Sequence, residues 1–282
     1  AVSIEISDKD GNPLVQLSGD YTTVVNYRAG KELNRVTYVY DSKTDKYTKE
    51  SEGIALESDD ADYKRLQNNI TELKNKDLIT AEQAKFSKIV KVAYVDGLIR
   101  YDILDENGRL LFQVTGNYIS TVGYSDKGFE EGRKTYYYNP TTKEYTLISK
   151  GTLITDANTL AVHRGHYNRI TGRDASDFIL YEIEELNPDG TTKIKKYEMV
   201  SSTGRLQYQK VDNYITIVNY EAGREVKRET YFSYYDETSK AYKDTLYSTG
   251  IPIATDDARR TRLLGHFNWT MKQQGKTVDT TG

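Results

Sequence analysis

The feature that most constrains the fold of this chain is a motif that occurs three times at a nearly constant spacing. Each copy combines a turn, an aromatic residue and a strand of β-branched residues that ends in tyrosine. The copies cover residues 19–27, 116–124 and 212–220. Their first tyrosines, Tyr21, Tyr118 and Tyr214, are 97 and 96 residues apart. A repeat of this length predicts tandem modules of small-domain size.

The residues around each motif also recur in the same order. A short turn and an apolar strand precede the motif, and the turns contain Asp10-Gly11, Asn107-Gly108 and Thr203-Gly204. Glycine supplies the positive φ that tight antiparallel hairpins require. A tyrosine-rich strand follows each motif and leads into a polar connection that contains Tyr47, Tyr145 or Tyr242.

Each copy then shows apolar residues before a Ser/Thr-Asp or Asp-Asp step. Ser, Thr and Asp cap helices because their side-chain oxygens accept hydrogen bonds from the first backbone N–H groups of the helix. We therefore predict helices over residues 59–76, 156–171 and 256–273. Gly172 and Gly275 are suitable stops for the last two. The acidic pairs Asp59-Asp60 and Asp256-Asp257 are better interpreted as caps than as catalytic carboxylates or calcium ligands.

Strands are also predicted between the copies. Residues 86–95 and 178–186 read as leading strands, each joined by an Asp-Gly turn to a second strand over 98–104 or 193–200. The predicted fold class is α+β and predominantly antiparallel β, with three tandem repeats of a five-stranded meander sheet and one helix packed on each. The predicted modules are residues 1–77, which lack the leading strand, 78–173 and 174–282.

The first copy begins one strand later than the other two, and this difference predicts an edge for assembly. The first copy begins at Val2 in what corresponds to the second strand of the others, and residues 276–282 follow the third helix where a leading strand would begin. An unpaired strand edge is a template for a strand from another chain. We expect Val2, Ile4 and Ile6 to form the accepting edge. The donating residues expected are Thr277, Val278 and Thr280.

Composition excludes several classes of function. A formal net charge of -3 gives no broad attraction to phosphate backbones, so no nucleic-acid partner is expected. The chain has no cysteine, which excludes disulfides, thiolate metal sites and cysteine nucleophiles. No apolar stretch reaches membrane-spanning length, and we expect no cofactor and no metal. Absence of cysteine suits an extracellular or cell-surface location, with a virion surface as the alternative.

Few residues suggest a catalytic, metal-binding or ligand-binding role. His163 and His166 lie one helical turn apart and could share a metal or act as a base, but the first copy has asparagines at this place, which favours packing or capping. No known catalytic motif is present. Tyr38, Tyr136 and Tyr231 are the candidate binding aromatics, and cross-strand pairing within the core is the competing interpretation.

These observations predict a non-catalytic structural or surface protein. Its tandem modules would self-assemble into a filament or surface array by strand exchange, which makes the chain a homo-oligomer or polymer. The alternative is an extracellular binding module, an adhesin for a glycan or a host protein. A third hypothesis is an enzyme of a class that its motifs do not reveal.

Overall fold

The computed structural model describes residues 3–28, 31–41, 44–125 and 128–252, which form seventeen strands and two helices. The helices are α1 (Ala61–Asn75) and α2 (Ala157–Thr171). The strands are β1 (Ser3–Ser7), β2 (Pro13–Ser18), β3 (Tyr21–Arg28), β4 (Lys31–Asp41), β5 (Lys46–Ala55), β6 (Lys88–Tyr94), β7 (Ile99–Leu104), β8 (Leu110–Thr115), β9 (Tyr118–Tyr124), β10 (Glu130–Asn139), β11 (Glu144–Leu153), β12 (Ile179–Leu186), β13 (Thr192–Val200), β14 (Leu206–Val211), β15 (Tyr214–Glu221), β16 (Arg224–Asp236) and β17 (Ala241–Gly250). The fold is therefore mostly antiparallel β, as predicted.

The strands form one continuous meander. Every strand is hydrogen-bonded antiparallel to the next one along the chain, from the β1–β2 pair to the β16–β17 pair. Pairing also continues where the sequence places module boundaries, with β5 on β6 and β11 on β12. A continuous sheet satisfies backbone groups that separate sheets would leave exposed at their edges.

The strand count corrects one expectation. The polar connections that contain Tyr47, Tyr145 and Tyr242 are strands, β5, β11 and β17, rather than loops. Each returns along the preceding strand and pairs its tyrosine with another one, with ring centroids 5.0, 4.9 and 5.3 Å apart. We call β1–β5 the first strand set, β6–β11 the second and β12–β17 the third, so the second and third sets have six strands and not five.

Both described helices lie where the sequence predicts them. Asp60 caps α1 by accepting a hydrogen bond from the backbone N–H of Asp62, and Asp156 caps α2 through the N–H of Thr159. Gly172 ends α2 with a left-handed φ of 69°. The predicted helix over 256–273 and its stop Gly275 lie outside the described residues. In the part of the chain that the structure describes, neither helix is long and apolar enough to cross a membrane.

Each helix packs on the strands that follow it. Leu66, Ile70 and Leu73 of α1 are buried in one core with residues of β6–β9, including Phe112. Tyr167 of α2 is buried in a second core with residues of β12–β16. The helix that ends one predicted module therefore covers the strands of the next.

Candidate assembly surface

The edge of β1 is open within the described residues. β1 pairs with β2 through contacts such as Ile4 with Leu17 and Ile6 with Val15, and it forms no ladder with any other described strand. The remaining residues of the predicted assembly edge, Val2 and the donors Thr277, Val278 and Thr280, lie outside the described residues. An edge of this kind presents backbone N–H and C=O groups in a row to any further strand.

The same strand carries exposed apolar side chains. Ile4 and Ile6 are 59% and 53% exposed. They share one sheet face with their partners Leu17 and Val15, which are half-buried. Adjacent strands bring these four side chains together because cross-strand partners point to the same side of a sheet. The result is an apolar face at the end of the meander.

The corresponding face of the second strand set is covered by α1. There the cross-strand pairs are Tyr101 with Val114 and Ile103 with Phe112, in the same arrangement as the pairs of the first set. Ile103 and Phe112 are both 0% exposed and belong to the core that contains Leu66 and Leu73 of the helix. A helix therefore buries this position of the sheet.

The third strand set repeats this relation with α2. Its pair Met199 and Tyr208 occupies the place of Ile103 and Phe112, and both residues are fully buried in the core with Tyr167 of the helix. In contrast, neither described helix packs on the face of the first set. The first strand set thus differs from the other two because no described helix covers its apolar face.

The three candidate binding tyrosines also lie on this face of the sheet. Tyr136 is buried, and its hydroxyl donates a hydrogen bond to the backbone oxygen of Leu78, 3.2 Å away. Tyr38 and Tyr231 are half-buried, and Tyr231 packs against the core beneath α2. Tyr136 is only 4% exposed, so its ring offers little surface on which a ligand could stack. The binding role of the three tyrosines stays a prediction.

Several aromatic side chains that reach solvent form a cluster on the third strand set. The Tyr214 ring lies 5.4 Å from Phe232 and 5.2 Å from Tyr247, and Phe232 lies 5.9 Å from Tyr234. All three tyrosines are exposed. The alternation along β16 indicates this cluster in the sequence, because Phe232 and Tyr234 alternate with Tyr231 and so point to the opposite face.

The two histidines of α2 are buried against the third strand set. His163 Nδ1 lies 3.0 Å from the Tyr208 hydroxyl, and His166 Nδ1 lies 2.9 Å from a guanidinium nitrogen of Arg169. Burial lowers the pKa of both imidazoles to about 4, so both are neutral at pH 7. Across the described residues no group of three His, Cys, Asp or Glu side chains could hold a metal ion. The third histidine, His266, lies outside them.

A buried ionic junction joins the three strand sets, and sequence reasoning missed it. Arg205, in the turn between β13 and β14, lies 2.6 Å from Asp96 and 3.6 Å from Glu50. Its guanidinium stacks over the Tyr94 ring at 4.1 Å and donates a hydrogen bond to the backbone oxygen of Gly223. Strands far apart in the sequence thereby meet through one side chain.

The carboxylate at this junction is unusually well buried. Glu50 is 3% exposed and occupies the bulge where β5 slips by one residue against β4. Burial raises the pKa of Glu50, and the positive charge of Arg205 opposes this effect. The backbone oxygen of Thr203 closes the junction by accepting hydrogen bonds from Tyr94 and Arg100 at 2.9 and 2.8 Å. Glu50 has no distinguishing sequence signal, because many charged residues surround it in the chain.

Comparison with known proteins adds little to this geometry. The chain matches no protein-family model and no curated protein. A porin-like protein from Bacteroides uniformis ATCC 8492 is 9% identical, with 89% of this chain and 96% of that one covered and a TM-score of 0.28. A protein of unknown function from Bacteroides fragilis NCTC 9343 is 8% identical, with 82% and 91% covered and a TM-score of 0.14. Neither similarity assigns a family or a function to this chain.

Proposed function

We propose that this chain is a non-catalytic structural or surface protein, built from three copies of one module, whose molecules assemble head to tail into a filament or surface array. The observation that carries the proposal is that, among the described residues, an open strand edge and an uncovered apolar face coincide on the first strand set. Surfaces of both kinds are stabilised when another chain covers them. The proposed location is extracellular or on a cell or virion surface.

Recurrent hydrogen bonds support the three-module interpretation. In each strand set, the tyrosine that ends the motif donates its hydroxyl to a backbone oxygen near the start of a neighbouring strand. These bonds are Tyr27 to Pro13, Tyr124 to Leu110 and Tyr220 to Leu206, at 3.0, 2.7 and 3.0 Å. Hydroxyl pairs recur as well. They are Thr23 with Thr37, Ser120 with Thr135 and Thr216 with Thr230, at 2.9, 2.8 and 2.9 Å.

Helix packing refines the proposed module. Since α1 and α2 each cover the strands that follow them, a module is best defined as a helix followed by six strands, which gives residues 61–153 and 157–250. Within the described residues, the first strand set, residues 3–55, shows five strands and no helix before them. In the proposed assembly, residues 277–280 of a neighbouring molecule add to the open edge of β1. A contact between two different surfaces that does not close produces a filament.

The test is the size of the full chain in solution. Sedimentation velocity over a wide concentration range, with negative-stain images of the same samples, should show species that grow with concentration and become elongated. Deletion of residues 276–282 should weaken growth, because it removes the strand proposed to pair with β1. A full-length protein that stays monomeric at every concentration would contradict the proposal.

The exposed aromatic cluster favours a second candidate function, binding of a glycan. Tyr214, Phe232, Tyr234 and Tyr247 form a surface on which sugar rings could stack. A glycan array with the full chain and with the double variant Tyr214→Ala/Tyr247→Ala would test it. Signals lost in the variant support a binding module, and an array without signals counts against one.

A further inference from the structure

We propose that the apolar face of the first strand set binds residues 256–273 of a second copy of the chain, and that these residues bind as a helix. We name this surface the docking face and define it by Ile4, Ile6, Val15 and Leu17. The inference rests on the proposed function and identifies the contact through which the molecules assemble.

The docking face lies in the same register of the sheet as the faces that bind the two described helices. The docking face places its four side chains at the cross-strand positions that Tyr101, Ile103, Phe112 and Val114 occupy beneath α1. In the third set, the pair equivalent to Ile6 and Val15 is covered by α2. Two of three equivalent faces therefore bind a helix, and the third exposes two isoleucines by more than half. Burying them removes apolar surface from water, which favours association.

Both described helices are already packed on other strand sets. Leu66 and Leu73 of α1 are fully buried against the second strand set, and Tyr167 of α2 is 1% exposed against the third. Moving either helix to the docking face would uncover its own core. A helix that binds the docking face must therefore be neither α1 nor α2 of the same copy.

The sequence of residues 256–273 resembles that of α2. It repeats the pattern of α2, with Gly265-His266-Phe267-Asn268 in place of Gly165-His166-Tyr167-Asn168, after an Asp-Asp cap. Phe267 corresponds to Tyr167, the residue that anchors α2 in its core. Leu263 precedes Phe267 by four residues, so a helix would place both on one face. The segment itself lies outside the described residues, and the inference uses only its sequence.

Donor and acceptor belong to different copies because the proposed assembly is head to tail. Together with residues 277–280 on the edge of β1, the docked helix would supply the first strand set with both elements that the other sets have. One copy would thus complete the module of the next.

Disulfide trapping tests this contact, since the natural chain has no cysteine and each introduced thiol is unique. Two full-length variants are prepared, Ile6→Cys with a tag that changes its size and Phe267→Cys without it. After mixing and mild oxidation, we expect a covalent dimer that contains one copy of each. The matched control is Glu5→Cys, because Glu5 is exposed on the same strand but points to the opposite face. Its yield of mixed dimer should be at least several-fold lower.

A second pair, Ile4→Cys with Leu263→Cys, keeps the test valid if Phe267→Cys fails to fold, which circular dichroism would reveal. Equal yields from Ile6→Cys and Glu5→Cys, or no mixed dimer from either pair, would overturn the docking. The double variant Ile6→Cys/Phe267→Cys tests the alternative of docking within one molecule. A disulfide formed only inside the monomer at high protein concentration would overturn the role of a second copy.

The two proposals fail in different ways. If the natural chain grows with concentration in sedimentation but no mixed dimer forms, the assembly stands and the docking face is wrong. If the natural chain stays monomeric, the assembly is wrong, and the docking between copies falls with it.

Discussion

At the scale of single residues, Arg205 and Arg109 show how surroundings decide the role of a side chain. Both occupy the same place in a hairpin turn, and both stack on the tyrosine that ends the motif, at 5.3 and 5.2 Å. The side chain of Arg205 is only 8% exposed, because the first and second strand sets cover it, whereas that of Arg109 is 46% exposed. Only Arg205 therefore neutralises a buried carboxylate from a distant strand.

We expect Arg205→Ala to lower the free energy of unfolding by about 3–5 kcal/mol, because the substitution leaves Glu50 buried without its nearest cation. Urea denaturation followed by circular dichroism measures the change. Arg109→Ala is the matched control, and its effect should be much smaller because water screens its ion pair with Asp105. Equal losses in the two variants would show that the junction has no special role.

The buried histidines predict a pH dependence. Their pKa values are lowered to about 4 in the folded protein, from 6.5, so the unfolded chain takes up protons that the folded chain does not. The free energy of unfolding should therefore decrease as the pH falls from about 6.5 towards 4. Urea titrations at several pH values would show this decrease.

The double variant His163→Gln/His166→Gln separates this effect from that of the carboxylates. Carboxyl groups with lowered pKa values, such as Asp244, also lose stabilisation in acid, but they are common to both proteins. Glu50 acts in the opposite direction. Because its pKa is raised in the folded protein, it stabilises the fold at low pH, and this stabilisation is lost as the pH rises. The variant should have a shallower slope between pH 6.5 and 4. The same slope in both proteins would mean that the imidazoles are not desolvated.

At the scale of elements, nearby residues determine where each described helix begins and ends, whereas contacts with distant residues determine which strands it covers. Their ends follow from capping residues that the sequence displays, Asp60 and Asp156 at the starts and Gly172 after α2. The partner of each helix is set by packing instead. The core of α1 lies with β6–β9, across a loop from the helix, and not with the strands that precede it.

Leu73→Ala should lower the free energy of unfolding by about 2–5 kcal/mol, because Leu73 is fully buried and the substitution leaves a cavity. Hydrogen exchange should show lost protection in β6–β9 before β1–β5. Asn68→Ala, at an exposed position of the same helix, is the control and should change stability little. Loss of protection that begins in β3–β5 would contradict the assignment of α1 to the strands that follow it.

Two of the strands that the sequence analysis did not predict, β5 and β17, lack the pattern of a strand with one apolar, buried face. β17 is exposed along nearly its whole length, so its residues lack the alternation of apolar and polar side chains that marks a strand with one buried face. β5 carries buried polar residues, Glu50 and Ser51, where apolar ones would be expected. Both strands exist because the preceding strand offers a full row of backbone partners.

At the scale of the whole molecule, the open edge and the docking face predict an assembly that depends on a few exposed side chains. The double variant Ile4→Lys/Ile6→Lys should change the free energy of unfolding of the monomer by less than about 0.5 kcal/mol, because both residues are more than half exposed. It should nevertheless abolish concentration-dependent growth, since two charges would have to be buried. Sedimentation velocity measures the growth and urea denaturation the stability.

The control for this pair is Glu5→Lys, which changes charge on the opposite face of the same strand. Assembly should persist in the control. If Ile4→Lys/Ile6→Lys assembles as well as the natural chain, the apolar face takes no part in the contact between molecules.

By itself, the sequence determined the features that depend on neighbours within a few residues: the Asp-Gly and Asn-Gly hairpins, the caps and positions of α1 and α2, and most of the antiparallel strands. Only the tertiary structure decided which distant surfaces meet. It joined all seventeen described strands into one sheet, placed each described helix on the strands after it, buried Tyr136 and Arg205, and left Ile4 and Ile6 exposed. The physical reason is that turns and caps arise from local backbone hydrogen bonding, whereas burial depends on contacts between residues that the linear pattern does not relate.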